Sequence, residues 1–229
     1  MKARSPQTVR IIAGISSGVT GAVSRIALVL LLGLSLAILW IAALPALPET
    51  PGAQAAGPQA QFHSEVIRLL VQPGRLTVNA LYRFVAPEEA RVRPMLLFFP
   101  YPQDSLLGQA EMAMLEVAPP DGNWHPAGFT ESPDGRGARW RIPLPADTTL
   151  VRAVYHQALY AEYARYIVTT TSVWDRPLVH ARFEIFLPES ARAPEFSFPF
   201  QAPDEPGAPY VYEEENFLPD RDITVTWSW

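Results

Sequence analysis

The sequence contains no cysteine in its 229 residues. This absence excludes disulfide bonds, thiolate metal sites and a cysteine nucleophile. It also excludes a lipoprotein anchor, which requires a cysteine at the cleavage site. A folded domain of this chain must therefore be held together by its hydrophobic core, and the roughly 170 residues after Ala55 are enough to form one.

Nucleotide-binding glycine motifs are also missing. The sequence has neither a phosphate-binding glycine loop nor a dinucleotide-binding fingerprint. No residue pattern indicates a catalytic function, and no cofactor is predicted. The two acids of a glycoside hydrolase can lie anywhere in a sequence, so an envelope hydrolase that acts on glycans or peptides remains an alternative.

Negative charge is absent from the first 48 residues, where Lys2, Arg4, Arg10 and Arg25 are the only charged side chains. From residue 56 onward the balance reverses, with 14 arginines and no lysine against 22 acidic residues. Nucleic-acid binding requires clustered Lys and Arg, so we predict no nucleic-acid partner. A basic start followed by an acidic body is typical of an exported protein.

Charged residues are absent from residues 26–44, IALVLLLGLSLAILWIAAL. As a helix rising about 1.5 Å per residue, this stretch extends roughly 28 Å, close to the hydrocarbon thickness of about 30 Å. Trp40 lies near the outer end, where indole rings favour the interface, and Pro45 and Pro48 end the helix. The sequence therefore predicts a basic cytoplasmic tail over 1–25 and one transmembrane helix, or signal-anchor, over 26–47.

A Pro- and Ala-rich linker over residues 48–61 carries a competing signal. Ala53 and Ala55 have the small side chains that signal peptidase requires, and they predict cleavage before Ala56. We expect a single-pass protein of a bacterial cytoplasmic membrane, held in the lipid bilayer, with its C-terminal domain outside the cytoplasm. If the signal is cleaved, the same domain is secreted.

Residues 62–229 change from continuous to alternating hydrophobicity, which is typical of half-buried β-strands. The alternation is most regular over 75–85, 178–188 and 222–229. Prolines and turn sequences such as SPDGRG separate the segments. The pattern predicts an all-β domain, an antiparallel, immunoglobulin-like β-sandwich. Less regular strands are predicted over 65–71, 94–99, 111–117, 138–142, 150–157 and 166–172.

Two segments of this domain are harder to interpret. Residues 155–165, YHQALYAEYAR, are either a hairpin with an aromatic edge or a short helical insertion, and their β-rich flanks favour the hairpin. Residues 200–222 are rich in proline and acidic residues. They predict a long surface loop before the final strand.

Two stretches of the domain carry motifs that occur together elsewhere. Residues 78–102 end in Phe-Pro-Tyr-Pro, and residues 163–188 run from Tyr through Thr-Thr-Thr, Trp and Pro to Leu-Pro. This order resembles a family of exported or membrane-anchored bacterial β-sandwich domains of uncharacterised function, which is marked by "FPLP"-type and "Y…TT…W…P…LP" signatures. Here Phe-Pro-Tyr-Pro replaces Phe-Pro-Leu-Pro. The resemblance implies an extracytoplasmic domain that binds or scaffolds, and it brings no catalytic residue.

Aromatic side chains are the main candidates for a binding surface. Tyr160, Tyr163, Tyr166 and Trp174, together with Tyr155, would stack on a glycan or a partner protein if they shared one exposed face. If alternate rings point inward, they belong to the core instead.

Histidines offer a second candidate site. His156 and His180 lie on predicted strands that could be neighbours, and neutral histidine is a common metal ligand. A carrier of a small ligand or metal is thus a further alternative. The leading expectation is a membrane-anchored extracytoplasmic module with a non-catalytic binding or assembly role, whose partner is an envelope protein or a glycan.

Overall fold

The computed structural model describes residues 59–229, which form β-strands and two short 3₁₀-helices. The helices cover Glu88–Ala90 and Thr169–Trp174. Across the described residues no helix is both long and apolar enough to cross a membrane. The strands are β1 (Gln61–Gln72), β2 (Arg75–Val85), β3 (Met95–Pro100), β4 (Leu107–Ala118), β5 (His125–Pro126), β6 (Gly128–Glu131), β7 (Gly137–Ile142), β8 (Thr148–Leu159), β9 (Tyr163–Tyr166), β10 (Leu178–Phe186), β11 (Arg192–Phe196), β12 (Tyr210–Phe217) and β13 (Ile223–Ser228).

The strands form one large sheet and two small ones. The large sheet has seven strands in the order β12-β10-β1-β2-β8-β4-β5, and the small sheets have the orders β11-β13-β9 and β3-β7-β6. Strands β1 and β10 run parallel, and every other named strand pairing in the described part of the chain is antiparallel. The prediction of an all-β fold is confirmed. The parallel pair and the third sheet depart from a two-sheet, wholly antiparallel immunoglobulin-like plan.

Both small sheets pack against the same face of the large sheet. Tyr82 on β2 contacts each of them: its ring centroid lies 5.8 Å from that of Trp140 on β7, and its hydroxyl oxygen lies 2.8 Å from that of Tyr166 on β9. Side chains alternate between the two faces of a strand, so the long central strands β2 and β8 contribute every second residue to this interior. Strand β2 does so with Leu76, Val78, Ala80, Tyr82 and Phe84.

Five of the less regular predicted strands, 65–71, 94–99, 111–117, 138–142 and 150–157, fall on β1, β3, β4, β7 and β8. The bounds of β3 and β7 agree within one residue, whereas β1, β4 and β8 extend beyond the predicted strands by up to four residues. The predicted strand 166–172 is wrong, because β9 ends at Tyr166 and Thr169–Trp174 is a 3₁₀-helix. The cause lies far along the chain. The backbone N–H groups of Val168 and Thr169 donate to Asp222 Oδ1, which replaces a strand partner for this segment.

Residues 155–165 are predicted to form a hairpin, but the two strands in this segment do not pair with each other. Strand β8 ends at Leu159 and β9 begins at Tyr163, but β8 belongs to the large sheet and β9 to a small one. The segment is therefore a strand–turn–strand corner between layers. The long loop predicted over 200–222 is also interrupted, because β12 pairs with β10 at the edge of the large sheet. An edge strand tolerates acidic side chains, and these side chains led to the prediction of a loop instead of a strand.

Candidate functional site

A cavity of about 470 Å³ lies between the large sheet, the β3-β7-β6 sheet and the segment 166–174. This volume is within the range of about 300–1,000 Å³ that small-molecule sites occupy. Its floor is buried and is formed by Glu65, Tyr82 and Tyr166. Its mouth is marked by three exposed apolar side chains, Leu96, Phe98 and Val173.

Glu65 is the one carboxyl group among the residues that line this cavity. It lies on the inward face of β1 with Ile67, Leu69 and Val71, and only 3 % of its surface is exposed. Burial raises the pKa of Glu65 to about 8, so the carboxyl group is mainly protonated at neutral pH. Its Oε1 atom has no hydrogen-bond partner among the described residues.

A β-bulge places a phenylalanine beside this carboxyl group. Phe62 pairs with Phe84 and Ser64 pairs with Arg83, so one residue of β1 is left over between the two pairs. Side chains three apart on a regular strand point to opposite faces, but the bulge turns Phe62 inward next to Glu65. The Phe62 ring lies 5.6 Å from the Tyr82 ring and 6.0 Å from the Trp174 ring, and all three rings line the cavity together with Glu65.

Two tyrosine hydroxyls meet at the floor of the cavity. Tyr82 and Tyr166 share a buried hydrogen bond of 2.8 Å, and burial is the main reason that the pKa of each phenol lies well above its ordinary value. Both phenols therefore stay neutral at physiological pH. Two further buried polar atoms of the lining, Thr171 Oγ1 and Trp140 Nε1, have no partner among the described residues. Unpartnered buried polar atoms each cost about 1–3 kcal/mol, so this lining is poorly satisfied by the protein alone.

The wall made by residues 167–174 is held by Asp222, which precedes β13. Asp222 Oδ2 accepts from Arg165 Nε at 2.9 Å, and Asp222 Oδ1 accepts from the Thr169 hydroxyl at 2.8 Å. Burial acts to raise the pKa of Asp222, but the hydrogen bonds from Arg165 and Thr169 outweigh it and keep that pKa below its ordinary value. The Asp222 carboxylate therefore remains ionised at neutral pH and holds this wall through its hydrogen bonds.

The predicted aromatic surface does not exist as one face. Tyr155 and Tyr166 are buried, Tyr163 and Trp174 are half-buried, and Tyr160 is exposed. The structure brings Tyr166 and Trp174 together, but as lining of the cavity and not as an exterior platform. Tyr160 and Tyr163 do not line it.

The predicted histidine pair is not brought together either. His156 lies on β8 and His180 on β10, and β1 and β2 separate these strands in the sheet. At about 4.8 Å between neighbouring strands, the two backbones are at least about 14 Å apart. His156 Nδ1 lies 3.0 Å from Thr77 Oγ1, and His180 Nε2 lies 2.7 Å from Glu213 Oε1. Within residues 59–229 no three His, Cys, Asp or Glu side chains cluster in a way that could hold a metal ion.

Several sequence-based predictions lie outside the described residues. These are the tail 1–25, the helix 26–47, the peptidase-site residues Ala53 and Ala55, and all but the last three residues of the linker 48–61. The serine-hydrolase spacing Gly-x-Ser-x-Gly occurs once in the chain, as GISSG over 14–18, and also lies outside them. That motif signals a nucleophile only on a strand-to-helix turn of a hydrolase sheet.

Glu65 was not among the predicted site residues, although a signal for it is present in the sequence. Within the predicted strand 65–71, alternate positions are Glu65, Ile67, Leu69 and Val71. A single acidic residue on an otherwise apolar face either lies at the end of the strand or has a buried carboxyl group. Buried carboxyl groups with shifted pKa values concentrate at functional sites. The bulge that moves Phe62 to the same face has no comparable signal in the sequence.

Comparisons with known proteins give weak similarity. No protein-family model matches the chain, and no curated protein matches it. Leukotriene A4 hydrolase from Saccharomyces cerevisiae superposes with a TM-score of 0.45 at 12% identity, covering 73% of this chain and 29% of that one. A candidate protease from Parabacteroides distasonis superposes with a TM-score of 0.42 at 9% identity, covering 74% of this chain and 40% of that one. The chain thus spans less than half the length of either protein, and similarity of this size assigns neither a family nor an activity.

Proposed function

We propose that this chain is a membrane-anchored, extracytoplasmic module that binds a small, mainly apolar ligand in the cavity between its sheets, without catalysing a reaction on it. The observation that carries the proposal is the cavity itself: an apolar, aromatic space with a buried, incompletely hydrogen-bonded carboxyl group at its floor. Sites for small molecules combine an apolar lining with a few convergent polar groups in this way.

The alternative of an envelope hydrolase finds less support in this site. Glycoside hydrolysis requires two carboxyl groups about 5–10 Å apart across a cleft. The cavity lining has a single acid, Glu65, and none of the lining residues is a histidine that could serve as a base. Among the roles that the sequence left open, a carrier of a small ligand therefore fits the geometry best.

The membrane-anchored and extracytoplasmic parts of the proposal rest on the sequence. They are supported by the uncharged stretch 26–44, by the absence of acids before Glu49 and by the resemblance to exported bacterial sandwich domains. The proposal also includes an antiparallel, sandwich-like domain outside the membrane. The mainly antiparallel strand pairing within residues 59–229 supports this part.

Ligand binding is tested with a neutral probe, 4-phenyl-1-butanol, titrated calorimetrically into the full chain in detergent. Leu97→Trp is the cavity-filling variant, because Leu97 lines the cavity and pairs with Trp140. Leu81→Trp is the matched control, since Leu81 is exposed on the outer side of β2. We expect saturable heat with the wild type and with Leu81→Trp and none with Leu97→Trp. Equal, non-saturating heats in all three proteins would show partition into detergent and contradict the proposal.

A further inference from the structure

The charge of the cavity lining restricts which ligands it can accept. Among residues 59–229, the lining contains one carboxyl group and no lysine, arginine or histidine. Its remaining polar groups are neutral: the hydroxyls of Tyr82, Tyr166 and Thr171 and the indole N–H of Trp140. An anionic ligand would bury its negative charge in this lining with no cation to balance it, which is unfavourable.

The aromatic rings around Glu65 favour a positive charge. Phe62, Tyr82, Trp140 and Trp174 line the same cavity as Glu65, and Tyr82 lies directly opposite Glu65 in the pairing of β1 with β2. The Trp140 ring stacks on the Phe99 ring, with 4.6 Å between their centroids. Aromatic faces attract ammonium groups, most strongly where both partners are desolvated. A buried carboxyl group in an aromatic-lined cavity is thus suited to hold a cation.

We propose that the ligand of this cavity is an amphiphilic amine, with an apolar body held among the aromatic walls and one basic nitrogen paired with the Glu65 carboxylate. This inference rests on the proposed function, because it names the ligand class of the same cavity. The ammonium group would donate to Glu65 Oε1, the atom that has no hydrogen-bond partner within residues 59–229. The apolar body would extend toward the mouth at Leu96, Phe98 and Val173.

Binding of such a ligand is coupled to proton release. At pH 7 the Glu65 carboxyl group holds a proton in the free protein, and the ammonium ion displaces that proton to solvent as the ion pair forms. Tyr82 on β2 and Tyr166 on β9 are the phenols that interact electrostatically with Glu65, and Tyr155 on β8 interacts with both of these phenols. Burial raises the pKa of all three tyrosines. They stay neutral between pH 6 and 9, so the released proton comes from Glu65.

The test compares 4-phenylbutylamine with 4-phenyl-1-butanol on the full chain by calorimetry at pH 7, in two buffers of different ionisation enthalpy. We expect the amine to bind more tightly than the alcohol and to release close to one proton, whereas the alcohol releases none. Amine affinity should rise by about tenfold per pH unit from pH 6 to about pH 8 and then level off. In Glu65→Gln, amine binding should weaken by about 10- to 100-fold while alcohol binding persists. Glu111→Gln, on the exposed side of β4, serves as the control.

The outcomes separate the two proposals. If amine and alcohol bind the wild type equally and release no proton, the amine inference is overturned and the proposed ligand-binding function stands. An unchanged amine preference in Glu65→Gln overturns it as well. If neither compound binds, both proposals fail together. Proton release is measured on the wild type, so the inference can be rejected even if the variant does not fold.

Discussion

The hydroxyl oxygens of Tyr82 and Tyr166 lie 2.8 Å apart at the floor of the cavity, and they join β2 of the large sheet to β9 of a small one. The two tyrosines are 84 positions apart in the chain and both are almost fully buried. This hydrogen bond therefore ties the two layers together at the place where the proposed ligand would bind.

Tyr166→Phe should lower the free energy of unfolding by about 1–3 kcal/mol, because it leaves the buried Tyr82 hydroxyl without a partner. The double variant Tyr82→Phe/Tyr166→Phe should recover part of this loss, because it removes both polar groups. Urea unfolding of the four proteins gives the coupling energy as a double-mutant cycle. Additive effects of the two substitutions would show that the hydroxyls do not interact.

Glu65 should make the protein less stable as the pH rises. Burial raises its pKa from the ordinary 4.5 to about 8. Below about pH 4.5 the Glu65 carboxyl group is protonated in both the folded and the unfolded protein. Between pH 4.5 and 8 the unfolded chain loses a proton that the folded chain keeps. Unfolding therefore becomes more favourable as the pH increases. The full difference, reached above about pH 8, is about 5 kcal/mol at 1.4 kcal/mol per pH unit.

Glu65→Gln lacks this dependence, so its free energy of unfolding relative to the wild type should rise by several kcal/mol between pH 5 and pH 9. Denaturant unfolding at four pH values measures the difference, with Glu111→Gln as the exposed control. Parallel pH curves for the wild type and Glu65→Gln would mean that Glu65 titrates normally in the folded protein.

The strands could be predicted from the sequence because their signal is local. The alternation over 75–85 reflects one buried and one exposed face, and β2 matches it to the residue. The arrangement of strands could not be predicted in the same way. The parallel pairing of β1 with β10 joins residues more than a hundred positions apart, and no short-range pattern encodes it.

The candidate site was harder to predict than the strands, since it depends on side chains from distant segments. The sequence left open whether Tyr160, Tyr163 and Tyr166 share one exposed face or belong to the core. The corner between β8 and β9 turns Tyr166 into the core and leaves Tyr160 outside. Conversely, Glu65 and Tyr82 meet only because β1 and β2 pair in this register. A single bulge between Phe62 and Ser64 brings the Phe62 ring into the cavity that Glu65 lines.

The N-terminal prediction leads to a direct test of membrane attachment. With an epitope tag at each end, we expect the full-length chain to stay in the membrane fraction after washing at high salt, because about 20 apolar residues are enough to span a bilayer. Cleavage before Ala56 would instead remove the N-terminal tag with about 5 kDa of chain. In that case Ala55→Leu should block processing, and the shorter product of the wild type would identify a secreted domain.

Asp222 should control the stability of the cavity wall and its sensitivity to acid. Asp222→Asn keeps the size of the side chain but removes the charge that binds Arg165 and Thr169, so it should lower the free energy of unfolding by about 2–4 kcal/mol at pH 7. Asp220→Asn is the matched control, because Asp220 pairs with Arg221 on the surface and should contribute less than about 1 kcal/mol.

The pH dependence distinguishes a lost ion pair from a packing defect. The pKa of Asp222 lies below its ordinary value in the folded protein, so its contribution is complete above about pH 4 and is lost as the pH falls through the folded pKa. The difference in unfolding free energy between the wild type and Asp222→Asn should therefore decrease as the pH falls. Binding of 4-phenyl-1-butanol at pH 7 should weaken in the same variant, because residues 167–174 form one wall of the cavity. If the difference in unfolding free energy between the two proteins does not narrow at all between pH 5 and pH 3, the effect is assigned to packing and not to the charge of Asp222.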